Sequence, residues 1–145
     1  PHVGLGKQAG GLDCGRYLET NEPADKFAFR TPPLRNVTLT GPWTHNGAYM
    51  VLEEVVRHHL NPESGLRDFD PSSLPEPFSN TVHMDEALHN EMLETLDALV
   101  AEPRELSDKE IDQLMEFLNA LTSPSAVDLS HLVPESVPSG LPVYD

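Results

Sequence analysis

Cysteine is the sharpest shortage in this 145-residue chain, which has only Cys14. One cysteine excludes an internal disulfide framework and any Cys-x-x-Cys metal or cofactor-attachment pair within the sequence. Cys14 reads as an incidental small residue in a Gly-rich turn, since a reactive thiol needs electropositive neighbours and only Arg16 is near. Positive charge is scarce too: 9 Lys and Arg face 24 Asp and Glu, a formal charge of −15. That balance repels nucleic acid and anionic membrane, and suits a basic protein partner or plain solubility. No apolar run approaches the ~18 residues of a membrane span. Aromatics make up only 6% of the residues, while prolines number 14, so a small helical core wrapped in loop is expected. No signal peptide is visible, and because the sequence opens at Pro1 rather than Met, its true beginning is expected upstream.

The chain divides into four parts. Residues 1–28 read as loop, broken by Gly4, Gly6, Gly10, Gly11 and Gly15. Residues 29–50 are rigid and turn-rich, and Val51 to Leu60 form a short helix stopped by Asn61-Pro62. Residues 61–83 read as loop again. Two helices follow. The first runs from Asp85 to Val100 with Leu88, Met92, Leu96 and Leu99 on one stripe, and reads as solvated and amphipathic. The second runs from Ser107 to Leu121, opens with a Ser107–Glu110 capping box, and carries Ile111, Leu114, Met115, Leu118 and Leu121 inward. The tail from Ser123 has four prolines and no period, so an extended course over the surface is predicted. There is almost no strand signal.

The densest segment is Phe29 to Leu60, FRTPPLRNVTLTGPWTHNGAYMVLEEVVRHHL. Loops this rich in Pro, Gly, Trp and His are rarely simple connectors, because ordering them costs entropy. In its helix, Leu52, Val55, Val56, His59 and Leu60 share one face, so the spacing predicts His59 inward and His58 towards the polar side. A buried imidazole needs a partner for its ring nitrogens, and a metal is one such partner. Helices this short bury too little apolar area to order the loops between them. A bulky cofactor, or a missing piece of protein, would supply the difference.

The runs Thr31-Pro32-Pro33-Leu34-Arg35-Asn36-Val37, Leu39-Thr40-Gly41-Pro42-Trp43, His45-Asn46-Gly47 and Leu52-Glu53-Glu54-Val55-Val56 resemble the C-terminal haem domain of bacterial di-haem cytochrome c peroxidases, a group that includes the methylamine-utilisation maturation enzymes. The family pattern reads roughly TPxLRNVxLTxPYxHDGxxxTLEEVV. Here Trp43 stands for the usual Tyr, Asn46 for Asp and Val51 for Thr. The stretches Asp13 to Arg16 and Thr20 to Asp25, the last helix and the Val137-to-Pro142 tail also fit one branch.

The resemblance implies a mainly α fold: an incomplete cytochrome c-like haem domain over residues 1–122 with long Pro- and Gly-rich loops, then an extended Pro-rich tail, 123–145. Counted from the His45-Asn46-Gly47 turn without a gap, His59 falls where the family places the distal axial ligand of haem c, usually Met, or Tyr in the maturation enzymes. A His there makes the haem bis-imidazole and lowers its potential; His58 and Met50 stay open as alternatives. The backbone carbonyls of Thr40 and Pro42 fall where the family holds calcium between its domains, a donor type suited to a hard cation. Arg35 matches a haem propionate, His45 lies near the propionates and the inter-domain path, and Trp43 packs on the haem edge or between redox centres. Plain alternatives stand beside these: His59 hydrogen-bonded to a backbone carbonyl instead of a metal, His45 pinning its own turn, Arg35 tying two loops, Trp43 in ordinary core. His2, His83, His89 and His131 read as surface residues.

Both Cys-x-x-Cys-His haem-attachment segments are absent, so covalent attachment is expected outside this chain, in a missing N-terminal part of the same enzyme. The resemblance implies a periplasmic oxidoreductase that reduces hydrogen peroxide with electrons from a small cytochrome c or cupredoxin, in a possible homodimer. No catalytic residue is assigned to this piece, which alone is expected to be inactive. Two other readings are an oxidative maturation enzyme acting on a protein substrate, and a haem-free binding module that retains the scaffold.

Overall fold

A proline that ends one helix by starting the next sets the local architecture. The computed structural model describes residues 12–141 and 143. The α-helices are α1 (Tyr17–Thr20), α2 (Leu52–Leu60), α3 (Pro62–Arg67), α4 (Glu86–Glu94), α5 (Ala98–Ala101) and α6 (Asp108–Ala120), joined by loops and single 3₁₀ turns. The bridges Gly15–Ala28 and Trp43–Tyr49 are isolated, and no longer ladder forms among the described residues. The fold is mainly α, as expected of a cytochrome c-like domain.

Asn61-Pro62 was expected to lead into loop. Instead the Asn61 side chain accepts the Ser64 N–H at 3.1 Å and Pro62 takes the first turn of α3. Proline is favoured there because its missing N–H would have had no intrahelical partner. The expected Asp85–Val100 helix is also two pieces, with a break at Thr95–Asp97. Thr95 folds its hydroxyl onto the Met92 carbonyl at 2.8 Å, and Asp97 re-caps the chain by accepting the Leu99 N–H at 2.8 Å. Short polar side chains that bond their own backbone compete with helix in this way. Leu99, expected on the apolar stripe, lies exposed beyond that break.

The two strongest periodic helices form as expected. In α6, Ile111 and Leu118 are buried, and the Glu110 carboxylate accepts the Ser107 N–H at 2.8 Å and its hydroxyl at 2.6 Å. α2 has Glu53 and Glu54 in its first turn and the Arg57 guanidinium in its last, matching the helix dipole at both ends. Its N-cap is Val51, which has no side-chain bond to offer where the related pattern has Thr.

The core is small. Ala48, Tyr49, Phe69, Leu74 and Val82 form one buried cluster, with Val55 of α2 packed on it. Large apolar side chains remain exposed along the turn-rich segment, including Phe29, Leu34, Leu39, Met50 and Val51. Val127, Leu129 and Leu132 of the tail are exposed as well; among the described residues the tail makes two 3₁₀ turns and otherwise no regular structure.

Histidines expected at the surface divide. His131 is exposed and His83 half-buried, but His89 of α4 is buried, with its Nε2 donating to the His83 carbonyl at 3.1 Å. A satisfied ring nitrogen is what makes that burial tolerable. His2 lies outside the described residues.

Candidate functional site

The turn-rich segment is stapled to the end of α6. Asn36 donates its N–H to the Leu121 carbonyl at 3.1 Å and accepts the Ser123 N–H on Oδ1 at 2.8 Å. The Thr38 and Thr122 hydroxyls meet at 2.7 Å beside it. Asn36 sits at φ 59°, a left-handed conformation that Asn tolerates better than most residues. The staple therefore needs this residue twice, for its backbone and for its acceptor.

Trp43 holds the next turn. Its indole N–H donates to the Val37 carbonyl at 2.7 Å, and its backbone pairs with Tyr49. Gly41 leaves room for it, because a Cβ there would lie 2.9 Å from the indole ring and force it to shift. Thr40 and Pro42 flank Gly41 and are both exposed. Neither carbonyl accepts a hydrogen bond among the described residues, so both oxygens are open to a hard cation.

Asn46 stands at the Asp position of the related pattern and bonds within its own turn. Its Oδ1 accepts the Thr44 hydroxyl at 2.7 Å and the Ala48 N–H at 3.2 Å, bonds a carboxylate oxygen would also accept. His45 stacks on Phe29, with ring centroids 3.6 Å apart, and its Nε2 lies 3.9 Å from Asp13 Oδ2. Burial pushes the His45 pKa down, against an opposing pull from Asp13. Arg35 is exposed and forms no ion pair among the described residues, leaving its guanidinium fork open.

The two adjacent histidines of α2 are placed opposite to the sequence expectation. In α2 Leu52 is buried, Val55, Val56, His58 and Leu60 are half-buried, and His59 is exposed. The cause is tertiary: α3 folds back along α2 and covers the His58 side. The His58 Nδ1 is 3.1 Å from the Tyr49 hydroxyl, which donates to the Gly65 carbonyl at 3.0 Å. Since the Tyr49 proton serves Gly65, His58 is the donor to Tyr49. Burial first of all pushes the His58 pKa down to about 4, so the ring is neutral at neutral pH.

His59 has its own fixed tautomer. Its Nδ1 lies 2.8 Å from the Val55 carbonyl, which can only accept, so Nδ1 is the donor and the neutral ring would carry its lone pair on Nε2. That bond to a backbone carbonyl is the outer-shell arrangement that orients metal-ligating imidazoles. The His59 residue is exposed, and so are Met50 and Val51 at the opposite, N-terminal end of α2. Met50 precedes α2 and lies outside any regular element. Neither Trp43 nor Arg35 shares a hydrogen bond, ion pair or ring contact with His59 among the described residues. The chain thus presents two groups on one segment: a stapled turn with open carbonyls, and a helix tip with an exposed imidazole.

This chain is a relative of the di-haem cytochrome c peroxidases. It is 52% identical over 44 residues to the cytochrome-c peroxidase IdrP1 of Denitromonas iodatirespirans, covering 30% of this chain and 12% of that protein. Against cytochrome c551 peroxidase of Pseudomonas aeruginosa it is 40% identical over 53 residues, 37% of this chain and 15% of that protein. Against the methylamine utilization protein MauG of Methylorubrum extorquens the match is 31% over 100 residues, 68% of this chain and 27% of that protein. The chain therefore matches only about an eighth to a quarter of the length of these relatives. No protein-family model matches the chain, and no solved structure does either.

Tyr49 and Gly65 escaped the sequence reading. Tyr49 had no periodic or motif signal of its own, and Gly65 lay in a stretch read as loop. Asn36 was quoted within a motif, yet its partners lie at the far end of α6, and nothing local announces them.

Proposed function

We propose that this chain is part of a periplasmic di-haem peroxidase that reduces hydrogen peroxide with electrons from a small redox protein, and that His59 supplies a distal axial ligand to haem c. The observation that carries the reading is the exposed His59 ring at the end of the motif-bearing segment, whose Nδ1–H is bonded to the Val55 carbonyl. Phe29, Leu34, Leu39, Met50 and Val51 suit the face of a large apolar macrocycle. Haem, when bound, supplies the redox chemistry; this chain supplies an imidazole of fixed tautomer, the wall of the pocket and an open Arg35 for a propionate carboxylate. Thr40 and Pro42 offer carbonyls for calcium, with its remaining ligands from elsewhere in the full protein. The attachment segments and the groups that move protons at peroxide belong to that larger protein.

The test is the ferric spectrum of the full-length enzyme. Wild type is expected to show one low-spin bis-imidazole haem, and His59→Ala to lose it while covalent haem content stays the same. An unchanged low-spin signal in His59→Ala defeats the assignment, and absence of haem from the full-length protein defeats the peroxidase reading.

A second reading has an observation of its own. The matches to MauG proteins extend over 100 and 108 residues, about two thirds of this chain, whereas the peroxidase matches stop within about 50. An oxidative maturation enzyme acting on a protein substrate is that alternative. Rapid peroxide turnover with a reduced small cytochrome favours the peroxidase; slow turnover that leaves a modified partner protein favours maturation.

A further inference from the structure

The direction in which His59 points depends on how α2 is rotated about its own axis, and Tyr49, His58 and Gly65 meet at the C-terminal turn of that helix. Tyr49 lies in the buried cluster, with Phe69 edge-on to its ring at 5.5 Å. From there its hydroxyl joins His58 of α2 to the Gly65 carbonyl of α3, at 3.1 Å and 3.0 Å. One phenol thus ties the C-terminal turn of α2 to both the core and the neighbouring helix. On the other side of His59, the Leu60 carbonyl accepts the Arg104 N–H at 2.8 Å. The ligand position is bracketed by fixed points.

Gly65 makes the fit tight. A Cβ there would lie 2.3 Å from His58 Nδ1, 3.0 Å from its Cγ and 3.1 Å from its Cα. The last of these is backbone, so a rotamer change of His58 does not relieve the whole contact; α2 and α3 also have to separate by a few tenths of an ångström. The His58 and His59 rings stand nearly perpendicular, 88° between planes with centroids 5.7 Å apart. A rotation that relieves His58 therefore carries His59 with it.

We propose that Tyr49, His58 and Gly65 form a lock that sets the rotation of α2 and so aims the His59 ring. Tyr49 and His58 are positioning residues, and the proposal rests on His59 being the axial ligand. A bis-imidazole haem is sensitive to the mutual orientation of its two ring planes, and outer-shell partners set that orientation. A loosened lock then gives several ligand geometries where the intact protein has one.

The experiment uses the full-length, haem-loaded enzyme and its ferric electron paramagnetic resonance spectrum together with the midpoint potential. Wild type and Tyr17→Phe should share one sharp low-spin set of g-values. Tyr49→Phe, which keeps the ring and its contact with Phe69, should split or broaden that set and shift the potential with haem content unchanged. Gly65→Ala should do so more strongly; if it fails to fold, Tyr49→Phe carries the test alone. A signal abolished by His59→Ala yet identical in wild type and Tyr49→Phe overturns the lock and leaves the ligand assignment standing. A wild-type signal indifferent to His59→Ala overturns both.

Discussion

Asn36 accepts the Ser123 backbone N–H on its side-chain oxygen at 2.8 Å, joining residues 87 positions apart in sequence. The bond clamps the start of the turn-rich segment onto the end of α6, and the left-handed backbone at Asn36 is part of the clamp. Asn36→Ala loses the acceptor and puts a Cβ in the left-handed region without the local polar bonding that Asn offers there. It is expected to cost about 2 kcal/mol, roughly half from each cause. Asn36→Asp keeps both features and should stay within about 1 kcal/mol of wild type. Urea midpoints of the full-length protein decide this, and equal losses in the two variants would refute the clamp.

Trp43 and Gly41 should behave as a coupled pair. Trp43→Phe removes the indole donor to Val37 and is expected to cost about 1 kcal/mol. Gly41→Ala drives a methyl into the indole and should cost less in the Trp43→Phe background, where the ring is smaller, than in wild type. A double-mutant cycle then shows non-additivity of about 0.5 kcal/mol or more. Strict additivity would mean the two residues do not press on each other.

The N-terminus of α2 offers a stabilising change. Val51 sits in extended geometry at the N-cap, φ −123° and ψ 124°, but has no oxygen to accept an amide. Val51→Thr supplies one, and the thermal midpoint should rise by the equivalent of about 0.5–1 kcal/mol. A fall would show that the Val51 methyls contribute more than the cap.

Acid sensitivity has a traceable component at Ser107–Glu110. The Ser107 hydroxyl first, and then its backbone N–H, hold the Glu110 carboxyl below its ordinary range. A carboxylate depressed in the folded state stabilises above the unfolded value, about 4.3, and loses that contribution as pH falls through the folded one. Glu110→Gln lacks the charge, so the thermal midpoints of wild type and variant should converge as pH drops from about 6 to 3. A gap independent of pH would assign the effect to packing.

How much was legible from the sequence varies by element. α6 was readable over nearly its full length, because a capping pair and an apolar period are local properties. α2 was readable for the same reason, although its N-cap valine gives no start signal. Asp85–Val100 was not, since the polar residues at Thr95 and Asp97 fit a helix by period but bond their own backbone instead. The turn-rich segment announced that it mattered through its density of Pro, Gly, Trp and His, but not how it is held.

The sequence by itself determined the helical class, the small core, the acidic surface and the kinship with di-haem peroxidases, because composition, periodicity and motif spacing are written along the chain. Tertiary structure decided which of two neighbouring histidines is covered and which is exposed. Helical period favours His59 over His58 by their angles on the wheel, but burial depends on what covers the helix. Pro62 starts α3 at once, α3 returns along the His58 side, and Tyr49 with Gly65 closes over that ring. His59 is left exposed, a result that no pattern within α2 contains.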